Sequence, residues 1–243
     1  MSYKNDMTFK AYVFRIMKHE ISNTKILAWS GFVFLVFGVI FYYLFKNTYY
    51  FIPGIPPVWT LILIGSLIMV FSQFYQFYDF EKIIHEKVGF LELGSDELIL
   101  NDTEKIKYEE LTDFEMFIDA YYNEKINIAN RAPAEKRSLG ISNTLKITHL
   151  SKTRMFNFKL ENESHKNVLE RNIYELVIHE KLKYIDAKKS IKLIPERYRK
   201  YEEYREYVGK QLKASRVNCT EGLLLIGYNT YEQAQELKKK YCN

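Results

Sequence analysis

Histidine and cysteine are the side chains in this 243-residue chain that could hold a metal or support acid–base or nucleophilic chemistry. Neither is arranged for it, because no histidine lies in a metal-binding or triad motif and the chain has no C-x-x-C pair. The phosphate-binding patterns G-x-x-x-x-G-K-[ST] and G-x-G-x-x-G are also absent. The sequence therefore predicts no catalytic residue, no metal site and no cofactor. The histidines are His19, His85, His149, His165 and His179.

Three cations and two cysteines are the remaining candidates for chemistry. Arg131, Lys136 and Arg137 cluster in one predicted loop, where they could contact an anionic ligand or lipid headgroups, or form an ordinary solvated loop. Cys219 and Cys242 both lie in the C-terminal tail. Two cysteines make no disulfide framework, so a reducing compartment is the natural interpretation.

Two long apolar runs near the N-terminus determine how the rest of the chain is placed. Ile26 to Phe45 contains 20 residues and Val58 to Tyr78 contains 21, all uncharged. A helix of about 20 apolar residues crosses a bilayer, so both runs are predicted to span a membrane. The first run is too long and begins too late for a cleaved signal peptide. The other alternative, two buried helices of a soluble protein, does not explain the interfacial aromatic residues near the ends of the runs. Those residues are Trp29, Tyr49, Tyr50 and Trp59.

The cations beside the runs predict the orientation of this hairpin. Lysines and arginines precede the first run and follow the second, whereas the short connecting loop has Lys46 alone. By the positive-inside rule, both termini are cytoplasmic and the protein is a multi-pass protein of the inner membrane. The flanking cations are Lys4, Lys10, Arg15, Lys18, Lys25, Lys82 and Lys87.

Small and amide side chains predict how the two helices pack. Gly31 and Gly38 share one face of the first helix, and Gly65, Gln73 and Gln76 give the second a small, polar side. Small residues allow close approach and amides in lipid need partners, so these faces are expected to meet each other or a second subunit. Neither run contains an ionisable residue, which argues against an ion pathway.

The hydrophobic pattern divides the rest of the chain into three predicted parts beside the hairpin of residues 26–80. Residues 1–25 carry an apolar stripe at helical spacing among cations, which predicts an amphipathic helix. This helix could lie in the inner headgroup layer or pack on the protein's own cytoplasmic domain. Residues 81–185 alternate apolar and polar side chains, which predicts six or seven short antiparallel strands and then a helix. Residues 186–243 are predicted to form a small, basic helical tail.

Within these parts, four segments have predicted boundaries. A short strand is expected at Ile126 to Ile128, and the helix after the strands is expected to run from Glu163 to Tyr184. The basic tail helix is predicted from Glu196 to Arg216, with tyrosines that could contact a membrane, a partner or the protein itself. Thr230 is predicted to cap the last helix.

Short segments in this order resemble bacterial membrane proteins that carry two N-terminal transmembrane helices and a cytoplasmic PH-like domain. GFLEL at Gly89–Leu93 opens a hairpin, IKYEEL at Ile106–Leu111 follows, Gly140–Asn143 precedes a strand, and Phe156–Asn162 leads into a helix. The resemblance covers roughly residues 26–185. It implies a membrane α-hairpin plus an α+β domain, a PH-like antiparallel β-barrel closed by a C-terminal helix. The first hairpin lacks the basic residues with which eukaryotic PH domains hold inositol phosphates, so phosphoinositide binding is not expected.

The layout is also similar to that of bacterial antiphage effectors, in which a cyclic oligonucleotide gates a membrane-disrupting protein with two helices and a small β-barrel. The sequence thus supports two functional hypotheses. The first is a non-enzymatic, membrane-anchored interaction or scaffold protein that binds the bilayer and a protein partner or its own oligomer. The second is a ligand-gated membrane effector. Acids prevail from Val88 to Glu180 and bases from Lys181 to Arg216, which argues against a nucleic-acid-binding surface.

Overall fold

The computed structural model describes residues 8–45, 57–129 and 132–242. In these residues the chain forms seven strands and seven α-helices, with short 3-10 helices at Tyr108–Glu110 and Glu196–Tyr198. The strands are β1 (Phe9–Glu20), β2 (Lys82–Leu93), β3 (Glu97–Leu100), β4 (Glu104–Lys107), β5 (Leu111–Phe117), β6 (Asn143–His149) and β7 (Lys152–Phe158). The helices are α1 (Asn23–Phe45), α2 (Pro57–Tyr75), α3 (Glu163–Ile178), α4 (Ala187–Leu193), α5 (Glu202–Lys213), α6 (Cys219–Ile226) and α7 (Tyr231–Tyr241).

The strands form one open sheet in the order β4-β3-β2-β1-β7-β6-β5. The hairpins expected from alternation are present: β2 pairs with β3 antiparallel, and β6 pairs with β7 antiparallel, with Leu145 opposite Phe156. The reason is the period of two, which places Leu145, Ile147 and Phe158 on the buried face, all fully buried. The antiparallel strand pairing that the alternation predicts is therefore confirmed, and the strands form an open sheet.

The N-terminal segment is a strand, so the amphipathic helix predicted for residues 1–25 is wrong where the structure describes it. β1 lies between β2 and β7, and Val13 is paired with Phe158. Phe9, Ala11 and Val13 are buried, and the residues between them are exposed. The same apolar residues fit both a helical and a two-residue period, and pairing with β7 decides in favour of the strand.

Helix α3 is shorter than predicted because a left-handed residue ends it. Asn162 caps its start, since the Asn162 side chain accepts a hydrogen bond from the backbone N–H of His165. The helix ends at Ile178 rather than at Tyr184. Glu180 has φ +53°, and the N–H of Lys181 donates to the carbonyl of Leu176. This is the Schellman motif, in which the left-handed residue that ends the helix is usually glycine and is Glu180 here.

The C-terminal tail packs on itself and on α3. The predicted basic helix from Glu196 to Arg216 is instead a 3-10 turn followed by α5. Tyr204 is fully buried, and its hydroxyl donates to the carbonyl of Leu225 in α6. Tyr174 of α3 stacks on Tyr198 with ring centroids 4.8 Å apart. Two of the tail tyrosines therefore make intramolecular contacts.

Cys219 and Cys242 form a disulfide, with Cα atoms 5.8 Å apart. The interpretation of these residues as reduced thiols did not anticipate this pairing. Helices α6 and α7 bring together two residues that are 23 apart in sequence, a proximity that their spacing alone does not reveal. Thr230 caps α7 as predicted, since its hydroxyl accepts from the N–H of Gln233.

The chain forms two compact units. The sheet unit comprises Met1–Arg15, Lys87–Asp119 and Ser142–Asn243, and the hairpin unit comprises Ile16–Glu86 and Ala120–Ile141. The hairpin unit contains α1 and α2, and the sheet unit contains the helices from α3 onward. The segment between β5 and β6 therefore belongs to the hairpin unit although both strands belong mainly to the sheet.

Among the described residues, one helix is long and apolar enough to cross a membrane by length and composition. It covers Asn23–Leu44, with a mean hydropathy of 2.1, and only 11% of its most apolar stretch is buried. The apolar stretch of the second helix, Trp59–Tyr75, is shorter. The strand predicted at Ile126 to Ile128 is wrong, since the structure has only an isolated bridge between Lys125 and Arg137 there.

Candidate functional site at the base of the helical hairpin

Helices α1 and α2 touch through their backbones at two glycines. A Cβ atom on Gly31 would lie 2.9 Å from the carbonyl oxygen of Gly65, and a Cβ on Gly65 would lie 2.9 Å from the carbonyl oxygen of Gly31. A Cβ atom on Gly38 would lie 2.6 Å from the side-chain Cγ1 of Ile62 and 3.2 Å from its backbone N. The small faces of the two helices thus meet each other within one chain, and side chains at Gly31 or Gly65 would force the helices apart.

Large apolar side chains cover the outer surface of the hairpin. Trp29 near the base is 66% exposed and Trp59 near the other end is 53% exposed. Tyr49 and Tyr50, the other predicted interface residues, lie outside the described residues. Soluble proteins rarely expose a continuous apolar patch of this extent. Other exposed residues of the two helices include Phe32, Phe37, Leu44, Leu63, Leu67, Phe71 and Phe74.

A buried aspartate holds the start of α1. The backbone N–H of Thr24 donates to Oδ2 of Asp79 at 2.7 Å, and both residues are at most 5% exposed. The N–H groups of the first turn have no partner inside the helix, and the dipole there favours a negative charge, so Asp79 stabilises α1 in two ways. Because Asp79 follows α2, this bond also joins the two helices at their base.

A second carboxylate, Glu135, reaches the same helix start from the segment between β5 and β6. It accepts a hydrogen bond from the Ser22 hydroxyl at 2.6 Å and from Lys25 Nζ at 2.9 Å. Burial raises the pKa of the Glu135 carboxyl, but the hydrogen bonds from Ser22 and Lys25 lower it, and the net result is a lowered pKa. The segment is therefore fastened to α1 by an ionised side chain.

The charged groups of the predicted ligand cations Lys136 and Arg137 bind backbone carbonyls of the hairpin unit. The N–H of Lys136 donates to the carbonyl of Gln76 at 3.0 Å, and its ammonium donates to the carbonyl of Asn127. Arg137 Nε donates to the carbonyl of Phe77 at 2.9 Å. Cations suit the carbonyl end of a helix, which explains Arg137, and the ammonium of Lys136 binds the carbonyl of Asn127 instead. Both cations therefore have a structural role.

The third predicted cation, Arg131, lies outside the described residues. The two predicted packing amides, Gln73 and Gln76, bond to each other rather than across the hairpin. Gln76 Nε2 donates to the carbonyl of Gln73 at 2.7 Å and to its Oε1 at 3.2 Å. The base of the hairpin is thus held by backbone caps and by Glu135.

Asp79, Glu135 and Ser22 were not singled out by the sequence analysis, although some signal was present. Ser22-Asn23-Thr24 directly precedes the first apolar run, which is the usual composition of a helix start. Asp79 is the first charge after the second run. Nothing in the sequence indicated Glu135, because it reaches the hairpin from 110 residues beyond Lys25.

The histidines have structural partners where the structure shows their contacts. His165 Nδ1 accepts from the N–H of Glu161, so its Nε2–H donates to the carbonyl of Lys10 at 3.0 Å. Burial lowers the pKa of His165, which keeps this ring neutral between α3 and β1. No group of three or more His, Cys, Asp or Glu side chains in the described residues could hold a metal ion.

No protein-family model, curated protein or solved structure matches this chain. The arguments for its function therefore come from the chain itself. Its most distinctive feature is a pair of closely packed apolar helices with a polar, hydrogen-bonded base.

Proposed function

We propose that this chain is a non-enzymatic, membrane-anchored interaction protein whose helices α1 and α2 cross a membrane together. The exposed apolar surface of the hairpin is the observation that carries this proposal. At 1.5 Å per residue, α1 is about 35 Å long and α2 about 29 Å, against a hydrocarbon core of about 30 Å. Close packing at Gly31 and Gly65 lets the shorter helix cross beside the longer one.

Water would be a poor solvent for this surface. Side chains such as Phe37, Leu63 and Leu67 are 53–59% exposed, so covering the rest of each removes roughly 0.8–1.8 kcal/mol of unfavourable hydration, about half of the value for a fully exposed side chain. Lipid covers all of them without a protein partner. The ionised groups bound at the base lie at or beyond the helix ends, where Asp79 caps α1, Glu135 binds Ser22 and Lys25, and Arg137 binds the carbonyl of Phe77.

The cations at the base support an orientation with both termini in the cytoplasm. Lys25 and Lys82 flank the hairpin on the same side, and each is paired with a carboxylate, Glu135 and Glu20 respectively. With the additional lysines and arginines before α1, this side carries the positive bias that remains cytoplasmic.

We further propose that the sheet unit is PH-like. Two antiparallel meanders, β2-β3-β4 and β5-β6-β7, flank β1, and a single long helix, α3, follows the last strand. In this arrangement the hairpin is an insertion after the first strand. The unit also presents exposed apolar side chains for a protein partner or a second copy, including Phe117, Leu150, Met155, Leu224 and Tyr231.

Membrane fractionation with reporter fusions tests the proposal. Carbonate washing should leave the chain in the membrane pellet, and reporters fused at residue 52 and after Asn243 should lie in opposite compartments. Release by carbonate would refute the membrane anchor. An exported C-terminal reporter would refute the orientation while leaving the anchor in place.

The disulfide provides a second measure of orientation. Disulfides are rare in the cytosol, so a cytoplasmic sheet unit should hold Cys219 and Cys242 as thiols in growing cells. Acid-quenched cells labelled with a polyethylene-glycol maleimide should therefore show a doubly shifted band without reductant. A band that shifts only after reduction would place the sheet unit in an oxidising compartment.

The ligand-gated effector hypothesis predicts a different result from the same material. Purified protein in dye-filled liposomes should release dye only when a cyclic oligonucleotide is added, if that hypothesis holds. An anchored interaction protein should leave the liposomes intact under both conditions.

A further inference from the structure

The sheet unit contains a cavity of about 820 Å³ at the C-terminal end of α3, beside the connection to α4 and the outer part of α5. Val177, Leu182 and Ile185 form its apolar wall, and each is at most 7% exposed. Small-molecule sites typically have volumes of about 300–1,000 Å³ and mostly apolar walls with a few polar groups. The cavity therefore has the size of a ligand site, although more of its exposed wall is polar than apolar.

Two largely buried side chains line this cavity with hydroxyl groups that have no partner. Ser190 is 3% exposed and Tyr207 is 6% exposed, and both belong to the lining. Within the described residues, neither side chain makes a hydrogen bond, although the backbone N–H of Ser190 donates to Asp186. Neither hydroxyl is among the fully buried polar atoms that lack a partner, so both hydroxyls are accessible from the cavity. These hydroxyls are thus positioned to bond to something that enters the cavity.

Most charged groups of the lining already have partners. Lys183 Nζ lies 2.6 Å from a carboxylate oxygen of Glu109, and His179 Nε2 lies 3.0 Å from a carboxylate oxygen of Glu175. Asp186 caps α4 by accepting from two backbone N–H groups. The site is therefore less charged than its residue types suggest.

One carboxylate and one guanidinium remain. Glu180 accepts only a long hydrogen bond, 3.5 Å, from Gln211 Nε2, and Arg216 makes no side-chain bond within the part of the chain that the structure describes. They form no ion pair with each other there. Both act on the same hydroxyl: burial raises the pKa of Tyr207 to about 12, with Glu180 raising it and Arg216 lowering it. The free charges of the cavity are thus one negative and one positive group near Tyr207.

The backbone at Glu180 adds a second observation. Its φ of +53° lies in the left-handed region, which costs a non-glycine residue about 1 kcal/mol and is usually occupied by glycine at a helix end. Strained residues of this kind concentrate at functional sites. A glutamate at this position places a carboxylate at the cavity at the expense of helix-end stability.

We propose that this cavity binds a small zwitterion of the amino-carboxylate class, of the size of a short peptide with apolar side chains. The carboxylate binds the Arg216 guanidinium, which matches a carboxylate with two parallel N–H donors. The ammonium group binds the Glu180 carboxylate, and Ser190 and Tyr207 bond to the polar backbone of the ligand. A net charge of zero on the free groups does not suit an oligoanion such as a cyclic oligonucleotide, which needs several cations.

This proposal goes beyond membrane anchoring and does not depend on it, because all lining residues belong to the sheet unit. The test uses the detergent-purified full chain and isothermal titration with trileucine that has free termini. Wild type should bind trileucine, and it should bind N-acetyl-trileucine and trileucine amide at least tenfold more weakly, because each lacks one terminal charge.

Two variants assign the charges. Arg216→Met should bind trileucine at least tenfold more weakly than wild type but bind trileucine amide with unchanged affinity. Glu180→Gln should likewise bind trileucine at least tenfold more weakly but bind N-acetyl-trileucine with unchanged affinity. Lys210→Met, which removes an exposed cation from α5 outside the lining, should bind like wild type. Glu180→Gly should unfold at a higher temperature and bind trileucine more weakly, which separates binding from stability.

Three results would overturn the proposal. The first is the absence of trileucine binding to wild type whose far-UV circular dichroism shows a folded chain. The second is equal affinity for the free and blocked peptides. The third is binding of a cyclic dinucleotide at this cavity in place of trileucine, with loss of that binding in Arg216→Met.

Discussion

Removing the Asp79 carboxylate should destabilise the hairpin more than removing any exposed charge. In Asp79→Ala, the N–H of Thr24 keeps its burial but loses its acceptor, at a cost of about 1–3 kcal/mol. The start of α1 also loses a negative charge, at a cost of about 0.3–2 kcal/mol. The expected total is about 2–4 kcal/mol.

Asp79→Asn separates the two contributions. The amide oxygen can still accept from Thr24, so only the charge is lost and the expected cost is about 1 kcal/mol. Glu20→Ala is the matched control in the same unit, because it removes a carboxylate that forms a 3.3 Å ion pair with Lys82 without capping a helix. Such a pair contributes about 1 kcal/mol or less.

Tryptophan fluorescence during thermal unfolding of the detergent-purified chain measures these effects at the right place. The chain has two tryptophans, Trp29 and Trp59, and both belong to the hairpin unit. For a chain of this length, 1 kcal/mol corresponds to about 2–4 °C in Tm. Asp79→Ala should therefore lower Tm by about 5–15 °C, and Asp79→Asn by about 2–4 °C. Equal, small shifts for Asp79→Ala and Glu20→Ala would show that the cap does not stabilise the hairpin.

Three more predictions use the same unfolding assay. Gly65→Leu should lower Tm by several degrees, because the new side chain would enter the backbone contact between α1 and α2. Ser66→Leu, on the exposed side of α2, should leave Tm unchanged. Similar Tm values for the two variants would refute the packing. Glu135 has a lowered pKa in the folded chain, so its contribution to the free energy of unfolding is present above the unfolded pKa of about 4.3 and is lost as pH falls through the folded pKa. Glu135→Gln should therefore reduce the fall in Tm between about pH 5 and pH 3. An unchanged dependence of Tm on pH would contradict this. Far-UV circular dichroism replaces fluorescence for the disulfide, because Cys219 and Cys242 lie in the sheet unit and both tryptophans lie in the hairpin unit. A reductant should lower the Tm of oxidised wild type, since closing the loop between the two cysteines contributes about 3 kcal/mol, and should not affect the double serine variant.

The apolar runs and the alternating segments made much of the local structure predictable. Length and the absence of charge identified both hairpin helices, and the period of two identified the hairpins of the sheet. The N-terminal strand was missed for a physical reason. Phe9, Ala11 and Val13 suit a strand, while Phe9, Val13 and Ile16 suit a helix, and only the long-range pairing of Val13 with Phe158 selects between them.

The cations of the predicted ligand loop show why the candidate site was harder to predict. A sequence reveals that Lys136 and Arg137 are charged, but whether their charges meet solvent or the carbonyls of Asn127 and Phe77 depends on the fold, which places Arg137 beside a carbonyl 60 residues away. The cavity at the end of α3 was hard to predict for the same reason. Its glutamate and arginine are 36 residues apart, and their freedom from ion pairs follows only from the positions of their neighbours.

The position of β1 makes the sheet depend on a strand that precedes the helical hairpin in the chain. β1 lies between β2 and β7, and the hairpin follows it directly in the chain. A fragment that begins after the hairpin at Val88 therefore lacks a central strand, and β7 as well as β2 would expose an unpaired edge.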